Sequence, residues 1–254
     1  MKKFIVLLLI LIPVAVWGFG KGVGGKGIAA KNAGGAPAPT YLLSEDFDGA
    51  GDCYSGDATY NNCSGEWTIN GDLDVNDFKN TLAGNDGTYS LRLAEADTTS
   101  IGITRALAGG DVTAASTYFM WNFDSFIGNR PDAIQAFLVG YNAAVDGLAW
   151  YCRWVKSGEV TCHIGTDSGS VGTFSEDTWY HIWIDYTKGS GANGTLTVTF
   201  ETSATKGAAD LSLVSGDGDS YGALQLRDAD LESSVGQHFD KIRVDDVEIG
   251  SNPD

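Results

Sequence analysis

The chain has 254 residues, with 34 Gly, 5 Pro, 7 Trp, 10 Tyr and 11 Phe and 19% charged side chains; this composition excludes a disordered chain, a collagen and a coiled coil and leaves room for one sizeable core. The formal charge is −17, unevenly spread: the five cations of the first 40 residues stand with no acid, so residues 41–254 carry 11 Lys and Arg against 33 Asp and Glu. Neutralising phosphates needs a basic face, so nucleic acid is disfavoured as a partner. Cations, neutral sugars and basic surfaces remain, beside the plainer role of an acidic coat that keeps the chain soluble.

Residues 1–18 read as a secretory signal peptide: Lys2 and Lys3 precede a 13-residue apolar run from Phe4 to Val16, with a small residue at Gly18. That run falls short of the roughly 20 apolar residues that cross a bilayer. The expected location is secreted, cell-surface or periplasmic. Residues 19–40 are rich in Gly and close on Pro37 and Pro39, the composition of a flexible lead-in. A phosphate-cradling loop is disfavoured there, because no strand precedes its glycines except the signal itself.

Residues 41–254 read as one domain. Cysteines stand at 53, 63, 152 and 162, an even number in a chain expected outside the cytoplasm, so the spacing predicts the pairs Cys53–Cys63 and Cys152–Cys162. Asp72, Asp74 and Asn76 imitate the first ligands of an EF-hand, but Asp77 replaces its glycine and Ala83 its final Glu, and the motif fails. Runs rich in β-branched and aromatic residues follow: 117–126, 133–141, 148–155, 179–186, 195–201, 223–227 and 241–249. Clusters of Gly, Asn and Asp separate them, and no segment offers a capped amphipathic helix of three turns. Many short strands in one domain predict an all-β, antiparallel sandwich or barrel.

Period-two alternation assigns faces. Tyr180, Ile182, Ile184 and Tyr186 share a core face, which places His181, Trp183 and Asp185 opposite. A hairpin centred near Ser157 sets Cys152 against Cys162 and leaves Tyr151, Arg153, Thr161 and His163 outside. Asn122 and Asp124 fall opposite Phe119, Trp121 and Phe123. The polar, aromatic-bearing second faces predict a ligand surface of Trp183, His181, Asp185, Tyr151, Arg153, Asn122 and Asp124, where rings stack on sugars and polar groups hold hydroxyls.

Four segments together carry a family resemblance: Ser44-Glu45-Asp46-Phe47-Asp48, Tyr89-Ser90-Leu91-Arg92-Leu93, Thr178 to Tyr186, and Phe239-Asp240-Lys241-Ile242-Arg243-Val244. Their order and spacing resemble the concanavalin A-like lectin and glucanase domains, laminin G-like ones in particular. The resemblance implies a jelly roll of two antiparallel sheets whose face and rim loops often bind glycans and sometimes calcium. The first and last strands of such sandwiches commonly lie together, which would bring Glu45, Asp46 and Asp48 near Asp240 as hard oxygen ligands for Ca²⁺.

The same fold hosts enzymes and binding modules, so function is argued from residues. Retaining glycoside hydrolysis needs two carboxyl groups about 5 to 5.5 Å apart, and no Glu-x-Asp-x-Glu strand supplies them. A lyase needs a Tyr or His base beside a cationic or amide group, types that His181, His163, Tyr151 and Arg153 provide, although each of the three histidines, His238 included, also reads as an ordinary surface residue. The expectation is a secreted, non-catalytic carbohydrate-binding or adhesion module, with no catalytic residue assigned and neutral or cationic glycans preferred. The alternatives are a structural subunit of a surface layer or filament, and a polysaccharide-degrading hydrolase or lyase of the same fold.

Overall fold

The β-branched and aromatic runs fold as strands. The computed structural model describes residues 41–47, 67–70, 78–81, 90–93, 101–123, 135–155, 157–228 and 236–253, all within the unit Thr40–Asp254. In chain order the first strands are β1 (Leu43–Glu45), β2 (Thr68–Asn70), β3 (Phe78–Thr81), β4 (Ser90–Leu93), β5 (Ile101–Ala106), β6 (Ala114–Phe123), β7 (Gln135–Tyr141) and β8 (Leu148–Trp154). They continue with β9 (Glu159–Ile164), β10 (Asp167–Thr173), β11 (Tyr180–Thr187), β12 (Gly194–Glu201), β13 (Leu211–Gly216), β14 (Ala223–Asp228) and β15 (Gln237–Asp245). The expected signal and lead-in, Asp48, the Asp72 to Asp77 string, Asp124, and Cys53 with Cys63 lie outside the described residues.

Two antiparallel sheets form a jelly-roll β-sandwich. The first runs β13-β12-β11-β6-β15-β4-β3, with β1 also on β15; the second runs β10-β9-β8-β7-β14-β5-β2. Alternation decides what lies between them. Tyr180, Ile182, Ile184 and Tyr186 of β11 and Phe119, Trp121 and Phe123 of β6 meet Trp150, Cys152 and Trp154 of β8 in one buried cluster. Aromatic rings fill much of the space: Trp121 stacks on Phe137 of the second sheet at 4.7 Å between centroids, and Phe123 meets Trp154 edge-on at 4.8 Å.

The β8–β9 hairpin has the expected centre. Cys152 is the register partner of Cys162, and the two form a disulfide. Gly158 closes the turn at φ +80°, a backbone conformation that a side chain would disfavour. Closing this short loop stabilises by about 2 to 3 kcal/mol in the chain-entropy picture.

The last strand departs from expectation. It occupies 237–245 rather than 241–249, with a register shift between Asp240 and Arg243 and Lys241 at φ +47°. Beyond Asp245 the chain leaves the sheet and fastens itself over the outer face of β11. Trp183 Nε1 donates to Gly250 O at 3.1 Å, Lys206 N donates to Ser251 Oγ at 2.9 Å, and Asn252 N donates to Ala204 O at 2.8 Å.

Candidate functional site

The expected ligand surface divides between two sides of the sandwich. His181, Trp183, Asp185 and Asn122 stand on the outer face of the first sheet, because their neighbours Tyr180, Ile182, Ile184 and Trp121 fill the core. Tyr151 and Arg153 stand on the outer face of the second sheet, for Cys152 and Trp154 take its core side. One ligand on one face cannot touch both groups. Trp183 is also corrected as an exposed platform: it is 0% exposed, in a second apolar cluster with Tyr118, Met120 and Ile249 against Tyr41 and Trp179. Alternation put it outside the main core, and the returning C-terminal segment then covered it.

What the first sheet does gather is a set of proton-carrying groups. β6 and β11 pair with His181 opposite Met120, one step from Tyr118, and the Tyr118 hydroxyl lies 2.7 Å from His181 Nδ1. On the other side of β6, Asn122 is the register partner of His238 in β15. Ser90 Oγ lies 3.2 Å from His238 Nδ1, and Trp179 meets the His238 ring edge-on at 6.2 Å. Along the same row the next register positions are Arg92 of β4 and Lys79 of β3. His181 and His238 are each 6% exposed, Asn122 9% and Tyr118 1%, so these groups are nearly closed off from solvent, Tyr118 packing with Ile249 of the returning segment.

Two histidines, a tyrosine and an amide on adjacent strands can accept, donate and relay protons and can hydrogen-bond a carboxylate. Sequence reasoning placed His181 and Asn122 on this face but missed Tyr118 and His238. The signal was present: Tyr118 shares parity with Asn122, and His238 with Asp240. Reading the last strand from residue 241 left His238 outside it.

Asp185 is occupied otherwise. Its carboxylate accepts from Ser116 Oγ at 2.5 Å and from Lys206 Nζ at 2.9 Å, and Lys206 also reaches Glu248 at 3.0 Å. Burial opposes the Lys206 charge, but the hydrogen bonds and charges of Asp185 and Glu248 outweigh it and raise its pKa. A cavity of about 270 Å³ lies here, lined by Ser116, Asp185, Thr187, Asp246 and Glu248 among others. It sits at the opposite end of β11 from His181, and its carboxylates already hold an ammonium group.

The expected calcium set is also differently engaged. The chain ends do pair, with Glu45 opposite Ile242. However, Arg105 Nη1 lies 2.9 Å from Glu45, whose carboxylate also accepts from Trp67 Nε1, and Arg243 pairs with Asp46. Asp240 is fully buried and accepts from Lys241 N at 2.8 Å. Guanidinium groups therefore take the place a cation would fill at Glu45 and Asp46. Among the described residues no group of three or more His, Cys, Asp or Glu is placed to hold a metal ion.

No protein-family model matches the chain, and no curated protein does. Solved structures match its fold. The marine alginate lyase from Aplysia kurodai superposes with a TM-score of 0.54 at 10% identity, over 81% of this chain and 99% of that one. The endo-β-1,4-glucuronan lyase from the fungus Trichoderma reesei gives 0.54 at 10% identity, over 85% and 99%. The alginate lyase Aly36B, in a variant bound to an alginate tetrasaccharide, gives 0.53 at 14% identity, over 82% and 97%. The fold is the concanavalin A-like jelly roll. These neighbours do not carry the narrower laminin G-like expectation. The receptor-binding domain of botulinum neurotoxin type G also matches, at 0.52 and 12% identity, over 84% of this chain and 49% of that one; the fold by itself therefore does not separate catalysis from binding.

Proposed function

We propose that the chain is an exported polysaccharide lyase acting on a uronate-containing glycan, with Tyr118 and His181 as its proton-transfer pair. The observation that carries this reading is the 2.7 Å contact between the Tyr118 hydroxyl and His181 Nδ1, beside Asn122 and His238 on the outer face of the first sheet. The lyases among the structural neighbours support it at the level of fold. It replaces the expectation of a non-catalytic module by the enzyme alternative weighed beside it.

The chemistry balances on these groups. With the Nδ1 proton donated to the tyrosine oxygen, His181 Nε2 accepts the sugar proton next to the carboxylate, and the C–H electrons form the new C=C bond as the glycosidic C–O bond breaks. The Tyr118 O–H protonates the departing oxygen. Imidazolium and phenolate are then already hydrogen-bonded, so transfer of the Nδ1 proton returns both to neutral and leaves His181 with the sugar's proton on Nε2. Proton exchange with water must return the ring to the Nδ1–H form before the next turnover. Asn122 and His238 supply N–H donors for the uronate carboxylate, which must be held for its neighbouring proton to become acidic.

The test is an elimination assay on alginate, glucuronan and a neutral glucan, following the ultraviolet absorbance of the conjugated product. The native chain is expected to form that product from an acidic polymer only. Tyr118→Phe and His181→Gln should each lower the rate about 10²- to 10⁴-fold, the usual range for removing a general acid or base. No product from any acidic polysaccharide would overturn the reading. A second reading, a glycan-binding module, is favoured by the 1% exposure of Tyr118; it predicts retained glycan affinity with no elimination product.

A further inference from the structure

The outer face of the second sheet is built as a surface of its own. Tyr151 of β8 and His163 of β9 are register partners whose rings stack 4.3 Å apart and 4° from parallel. Beside them Arg153 Nε donates to Thr161 Oγ1 at 3.1 Å, which fixes the guanidinium over the sheet. Two strands away, Arg227 of β14 projects from the same face, since Leu224 and Leu226 take the core side. Its register partner is Gly102, where an added Cβ would lie 3.3 Å from Arg227 Cγ, so the missing side chain gives the arginine stem its room. On the side of Arg227 away from Arg153, Gln225 Nε2 donates to Thr104 Oγ1 of β5 at 2.9 Å.

The charge on this face runs against the rest of the molecule. In a chain of net charge −17, Arg105, Lys188, Lys206 and Arg243 each pair with a carboxylate. Arg153 and Arg227 pair with none among the described residues. Burial, then the Arg153 charge, lowers the pKa of His163 and keeps its ring neutral beside Tyr151. A planar guanidinium presents a fork of N–H donors that matches a carboxylate two-for-two, and neutral rings suit the C–H faces of a sugar.

We propose that this face is a second docking platform for an acidic polysaccharide, with Arg153 and Arg227 holding carboxylates of one chain and Tyr151 and His163 supporting its rings. It lies on the other side of the sandwich from the Tyr118–His181 pair and stands whether or not that pair cuts the polymer.

The test is retention of the full chain in native gels containing alginate or a neutral glucan, with Tyr118→Phe run alongside so that cleavage does not release the protein. The Arg153→Gln, Arg227→Gln double variant should lose at least about tenfold in alginate affinity, with its melting temperature unchanged, as for surface substitutions. Tyr118→Phe, freed of cleavage, should be retained at least as strongly as the native chain. Arg227→Gln alone, which touches no hydrogen bond of the hairpin, serves if the double variant fails to fold and should show a partial loss. Native retention of the folded variants, equal retention by neutral glucan, or loss of retention in Tyr118→Phe would each overturn the proposal.

Discussion

His163 links pH to stability through a single ring. Burial first and the Arg153 charge second lower its pKa below the ordinary 6.5. Its folded pKa being depressed, the unfolded chain binds more protons as pH falls through the ordinary value, and stability falls with it until the folded pKa is passed. Stability contributed by neutral His163 is thus present above about pH 6.5 and lost on acidification. Chemical unfolding at a series of pH values should show a steeper loss below pH 6.5 in the native chain than in His163→Gln; parallel profiles would mean that the ring titrates alike in both states. The position of this residue was legible in the sequence, because alternation around Cys162 sends His163 outward. Its stacking on Tyr151 follows from the register, Tyr151 opposite His163, which the hairpin centre near Ser157 dictates. The carboxylate partners of the arginines were not legible: Arg105 meets Glu45 across 60 positions and Arg243 meets Asp46 across 197. Local pattern carries no information about such contacts, so it gave no sign that guanidinium groups face Glu45 and Asp46.

At the scale of elements, the strand faces were readable and their covers were not. Period two separates Tyr180, Ile182, Ile184 and Tyr186 from His181, Trp183 and Asp185, and the structure keeps that division. Whether the second set meets water depends on the segment after β15, which leaves the sheet beyond Asp245. Residues 245–248 alternate acid and apolar poorly, yet they follow a strand directly and so read as its continuation. The returning segment instead seats Ile249 against Tyr118, Met120 and Trp183. Trp183→Ala would leave a cavity beneath it and delete the bond to Gly250 O, so a loss of about 3 to 5 kcal/mol is expected. Chemical unfolding of the variant measures this. A melting temperature equal to the native one would show that the segment does not hold Trp183 in solution. Because Tyr118 rests on Trp183 at 5.2 Å between centroids, the same variant should also disturb the pair proposed for catalysis.

For the whole molecule, the net charge of −17 and the acidic polymer proposed as substrate oppose each other, and the range of the opposition decides its effect. The acidity of the sequence favoured neutral or cationic glycans, an argument that treats the protein as one distant charge. Screening limits that treatment: the Debye length is about 30 Å at 0.01 M salt and about 8 Å at 0.15 M. At low salt an approaching polyuronate meets the summed field of the surface carboxylates, and repulsion slows encounter. Near 0.15 M it meets chiefly the groups within a few ångströms, which on the first sheet include His181, His238 and Asn122. Expected, therefore, is a rise in kcat/KM for a polyuronate as salt increases from about 0.01 M to about 0.15 M, with little change for a short oligosaccharide of low charge. Most nucleic-acid-binding proteins lose affinity over that interval, since they rely on long-range attraction to phosphates. Initial rates across a sodium chloride series on polymer and oligomer make the measurement. A monotonic fall for the polymer would mean that attraction, not repulsion, governs encounter, and that a basic region outside the faces described here guides the substrate in.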